Sequence, residues 1–154
     1  MKRYLLSFLI AYIVALAVTA GLIFIGLLNW FFGPSPVWFD ILSAALLLLI
    51  FPIAGWLCGY RAERKGNTAP RQGVLVLLVF MAILAVLGFQ EESPLYLLAT
   101  PGMVIGNAVE VLFDLKYRWG YQTHLRVVWP LVSILGAVVQ AVLFHLGWKI
   151  GRKE

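Results

Sequence analysis

From Tyr4 to Leu28 the chain runs for 25 residues without a charged side chain. A helix of that length reaches about 37 Å, more than the roughly 30 Å of a bilayer's hydrocarbon core. Such a run satisfies its peptide groups inside lipid only by coiling into a helix. Comparable apolar runs follow at 39–60, 73–89 and 127–148. Only 12% of the chain is charged and 62% is hydrophobic, whereas a soluble domain carries about 25% charged residues. The expectation is an all-α polytopic membrane protein, one integral helical domain over 1–154 with four transmembrane helices in those runs.

The first run imitates a secretion signal, with Lys2 and Arg3 ahead of it and Val18, Thr19 and Ala20 resembling a cleavage site. Its length exceeds the 7–15 residues of a signal's apolar region, so it is expected to stay as the first helix. Gly33, Pro34 and Pro36 end that helix, and Pro52 is expected to bend the second. The third run, at about 25 Å, is short for an average bilayer.

The net charge of +5 does not indicate nucleic acid, because the basic residues gather at the ends of apolar runs. There they set orientation and meet anionic lipid headgroups. Lys2 and Arg3 place the N-terminus on the cytoplasmic side. Two crossings bring Arg61, Arg64, Lys65 and Arg71, the basic residues of the 61–72 loop, to the same side and leave Glu91 and Glu92 outside. The layout resembles that of small bacterial membrane proteins, which sets the expected location at a bacterial cytoplasmic membrane. The side of the C-terminus is a tie on charge: whether or not 95–113 crosses, nine basic residues fall inside and three outside.

Segment 95–118 therefore has to be read from its own residues. Pro101 and Gly102 interrupt it after a short apolar stretch, and Thr100 with Pro101 has the form of an N-cap followed by proline in the first turn. Beyond them, Met103, Asn107, Glu110 and Asp114 recur on one narrow helical face. The pattern suits a helix in the interface plane or packed over other helices; the favoured expectation is a re-entrant or interfacial helix, with its polar stripe at a wet boundary and residues 90–126 forming an external cap. Five transmembrane helices is the alternative, since 95–113 also holds many aliphatic residues.

Asn107, Glu110 and Asp114, with Gln140 in the last helix, make the best polar constellation, a candidate ion or proton site. The same residues equally form the polar stripe of an amphipathic helix. Gln140 needs a buried partner, and Asn107 or Thr19 is expected to supply it. Gly55 with Gly59, Gly102 with Gly106, and Gly147 with Gly151 repeat the four-residue spacing that lets membrane helices approach closely. One of the three pairs is expected to be a contact.

Cys58 is the single cysteine, and no Cys/His spacing suits a metal. Zincin, P-loop and hydrolase-elbow motifs are absent, so no cofactor is expected. The first functional expectation is a non-enzymatic accessory, assembly or immunity-type subunit, acting by association with a protein partner or a second copy of itself. The alternative is a small transporter or lipid-handling protein, with Asn107, Glu110 and Gln140 lining a shared cavity.

Overall fold

The computed structural model describes residues 2–32, 37–63, 72–88, 96–113, 115 and 127–152. They form five helices: α1 (Lys2–Phe32), α2 (Val37–Glu63), α3 (Gly73–Gly88), α4 (Tyr96–Phe113) and α5 (Trp129–Gly151). Three of these, α1, α2 and α5, contain stretches long and apolar enough to cross a membrane, while α3 and α4 are shorter apolar helices. The described residues are thus built of helices, with the character of a helical membrane protein. Large apolar side chains such as Phe24, Leu49, Ile53 and Ile150 face outward, as they do where lipid is the solvent.

Because lipid is as apolar as leucine, helix association in a bilayer rests on close packing and hydrogen bonds rather than on the hydrophobic effect. The most extensive contact joins α2 to α5, and it is made by glycines from both sides. A Cβ on Gly55 would strike the Phe144 carbonyl, and one on Gly59 would strike that of Trp148. In return, Gly147 lies against the Pro52 carbonyl and Gly151 against that of Trp56. Residue numbers rise together along this seam, so α2 and α5 run parallel. They are also coextensive. All three glycine pairs lie at helix crossings, where the spacing alone predicted one.

An aromatic ladder docks α1 onto this pair. Tyr4, Phe8 and Tyr12 are one helical turn apart and buried. The Tyr4 ring meets Phe144 edge-on at 5.4 Å and Trp148 at 4.9 Å. Phe8 meets Phe144 at 5.2 Å and Phe51 at 5.9 Å. These are the offset and edge-to-face arrangements that aromatic quadrupoles favour. Ala11 and Ala15 continue the buried face, and Thr19 closes its own hydrogen bond onto the Ala15 carbonyl at 2.7 Å. The order of these contacts makes α1 antiparallel to both α2 and α5. From 20 to 28, α1 has no buried residue.

Helix α4 departs from expectation in two ways. It begins at Tyr96, with Pro101 inside and fully buried, so Thr100 and Pro101 do not start it. Proline costs a helix one backbone bond, and a packed membrane interior tolerates that loss because neighbouring groups take it up. Second, α4 packs against each of the other four helices. Ala99, Gly102, Met103, Ile105, Gly106, Ala108 and Glu110 are all buried, while Leu112 and Phe113 face outward. The polar stripe expected at a wet boundary is turned into the protein. The physical reason is the solvent: beside lipid, a helix hides its polar face and exposes its apolar one. Gly102 and Gly106 also pack against α5, less tightly than the α2–α5 seam. A Cβ on either would come within 3.3 Å of α5 backbone, at Ser133 and Ala137 for one and Val132 and Ser133 for the other. Here residue numbers run oppositely, so α4 is antiparallel to α5.

Candidate functional site

The polar residues within the bundle occupy separate levels. At one end, near the start of α2, the Asn107 side-chain amide donates a hydrogen bond to the Asp40 carboxylate. Asp40 stands in the first turn of α2, where the helix macrodipole favours a negative charge. The bond therefore ties α4 to the first turn of α2. One turn along the same face of α4, Glu110 is only 4% exposed and engaged with a neighbour. Asp114, the last residue of the expected constellation, lies outside the described residues, as do Arg64, Lys65 and Arg71. Arg61 is exposed near the end of α2.

Sequence reasoning missed Asp40. The signal was present, since an acid at the second position of the otherwise uncharged 39–60 run is costly in lipid unless it is paired or close to an interface.

Gln140 is 0% exposed, and among the described residues neither its Nε2 nor its Oε1 has a hydrogen-bond partner. The expected bond to Asn107 or Thr19 does not form: Asn107 pairs with Asp40 and Thr19 with its own helix. Register explains this. Gly102 and Gly106 fix α4 against 132–137 of α5, so Asn107 sits roughly 13 Å along the axis from Gln140 at 1.5 Å per residue. Asn107, Glu110 and Gln140 line neither of two described cavities. The small one, about 10 Å³, lies among Tyr12, Met81, Ala99, Gly102 and Ser133. The large one is a groove of about 1160 Å³ between α1 and α2.

At the opposite end of the bundle, the Tyr4 hydroxyl and His145 Nδ1 are 2.9 Å apart. The tyrosine donates when the imidazole carries its proton on Nε2. This bond extends the aromatic ladder and holds the start of α1 against α5. Among the described residues, no group of three or more His, Cys, Asp or Glu side chains is placed to hold a metal ion.

The Asp40–Asn107 bond has a measurable consequence. Asn107→Leu is expected to destabilise the bundle by about 2 kcal/mol, the range for a bond to a charged group. In a cycle with Asp40→Leu, the double variant should recover about 1 kcal/mol or more relative to additivity. Unfolding titrations in mixed detergent measure this, and strictly additive effects would mean that the bond contributes nothing.

No family model, no curated protein and no solved structure matches the chain.

Proposed function

We propose that this chain is an integral membrane protein that acts by association, as an accessory or assembly subunit bound to a protein partner or to a second copy of itself. The observation that carries the reading is the outer part of α1. Residues 20–28 are entirely apolar or glycine and none is buried. A Cβ on Gly21 would meet nothing within 4 Å. Glycine costs a helix about 1 kcal/mol against alanine, and elsewhere in the molecule close backbone approach offsets that cost. At Gly21 the described residues supply no such contact, and a second helix would. A transport or lipid-handling reading needs Asn107, Glu110 and Gln140 around one cavity, and their separate levels favour association.

The topology that goes with this reading has four crossings, α1, α2, α3 and α5, with both termini and the 61–72 loop on the cytoplasmic side. Its support is a parity argument. Parallel α2 and α5 require an odd number of net crossings between them, so α3 and α4 cannot both cross. Antiparallel packing on α5 brings Tyr96 near the middle of the bundle and Phe113 to the end where α5 starts. In this layout α4 is the outgoing limb of a re-entrant segment.

A photo-crosslinking residue at Phe24, on the Gly21 face of α1, tests the association. The expected product in native membranes is one discrete protein adduct. Gly21→Leu should abolish it without lowering the thermal midpoint of the purified chain. Crosslinking to lipid alone, with the chain monomeric in mild detergent, would contradict the reading.

A further inference from the structure

The groove between α1 and α2 has a polarity that its wall-forming role does not require. Its walls are apolar over most of their length, formed by Ile10 and Val14 on α1 and by Leu46, Leu49, Ile53 and Leu57 on α2, with Trp148 of α5 also lining it. One end differs. Lys2 and Arg3 begin α1, Arg61 lies in the last turn of α2, and all three line the groove with no acidic residue among the described lining side chains. Because α1 and α2 are antiparallel, these cations come together at one end although they lie far apart in sequence.

We infer that this groove binds one anionic phospholipid, with its phosphate held by Lys2, Arg3 and Arg61 and an acyl chain lying between α1 and α2. Charge complementarity selects the occupant. A transmembrane helix from a partner would fill the apolar walls but leave three cations facing no counter-charge. A phospholipid satisfies both parts at once. The dimensions agree: from Lys2 to Val14 a helix rises about 18 Å, close to the half-thickness, about 15 Å, of a hydrocarbon core. The volume of about 1160 Å³ lies just above the range for small-molecule sites, roughly 300–1,000 Å³, as suits a long chain. In the orientation proposed above, the basic end faces the cytoplasm, the leaflet side where anionic headgroups create a negative surface potential. The site depends on membrane insertion alone and stands whether or not the chain has a protein partner.

Native mass spectrometry of the full-length protein in mild detergent, titrated with phosphatidylglycerol or phosphatidylcholine, tests it. The anionic lipid is expected to bind at least about tenfold more tightly than the zwitterionic one. The variant Lys2→Gln/Arg3→Gln/Arg61→Gln should weaken it about a hundredfold, at roughly fivefold per basic residue. Ile53→Trp, which fills the groove and keeps every charge, should remove the adduct. Cys58, half-buried on the same wall, gives an independent readout, because bound phosphatidylglycerol should slow its alkylation by a maleimide in the parent protein and leave the rate unchanged in Ile53→Trp. Equal retention of the two lipids, an adduct that survives Ile53→Trp, or alkylation indifferent to lipid would each overturn the site.

Discussion

Gly147→Ala is expected to destabilise the folded chain by about 3 kcal/mol, at the upper end of what overpacking usually costs. The added methyl would coincide with the Pro52 carbonyl, and a backbone cannot move aside as a side-chain tip can. The helices must separate along the whole α2–α5 seam, and each ångström of separation forfeits dispersion contacts on both sides. Gly55→Ala, Gly59→Ala and Gly151→Ala meet the same obstacle at the Phe144, Trp148 and Trp56 carbonyls and should cost similar amounts. Gly55→Ala/Gly147→Ala should fail to accumulate as folded protein. Gly102→Ala and Gly106→Ala, whose new methyls would sit 3.3 Å from α5 backbone, should cost about 1 kcal/mol, because a shift of a few tenths of an ångström relieves them. Gly21→Ala is the internal control. With nothing within 4 Å, it should be neutral or gain up to about 1 kcal/mol in helix propensity. Thermal or denaturing-detergent unfolding of this series reads the order directly. Equal costs at Gly21 and Gly147 would remove the glycine seam as the feature that holds the bundle together.

The parts of this arrangement legible in the sequence are those that follow from period and solvent. Long apolar runs gave α1, α2, α3 and α5 to within a few residues, because a membrane leaves the backbone few alternatives. The four-residue glycine spacings marked the helix crossings, though spacing cannot say which partner each pair meets. Two readings failed for a common cause. Thr100 and Pro101 have the form of a helix start in water, where an unpaired carbonyl is solvated; inside a packed bundle, the helix from Tyr96 runs through them. The face carrying Met103, Asn107 and Glu110 was recognised as polar, but periodicity shows only that a helix has two sides and not which solvent each one meets. Gln140 was recognised as buried, while its lack of a partner depends on the register of α4 against α5, set by glycines on two helices. Asp40 was overlooked because a lone acid in an apolar run carries no periodicity of its own. The groove was beyond sequence reasoning, since Lys2 and Arg61 meet only through the antiparallel pairing of α1 with α2.

The parallel seam also makes a prediction about topology that charge counting cannot make, with an all-or-none outcome. If α2 and α5 point the same way across the bilayer, the chain ends on the side where it begins. Were α4 a full crossing after α3, the end of α5 would move to the other side. The glycine contacts between Gly55, Gly59, Gly147 and Gly151 would then be impossible, because reversing α5 inverts their order along the seam. Side of exposure and packing register are thus one claim.

Cysteine accessibility in intact cells tests that claim most directly, with Cys58→Ser as background and single cysteines placed at Lys2 and at Lys153. The parallel arrangement predicts that the two positions respond alike to a membrane-impermeant maleimide; with the cytoplasmic orientation proposed above, neither is labelled until the membrane is opened, and then both are. Labelling at 153 from outside, with position 2 still protected, would contradict the parallel seam and every conclusion drawn from it.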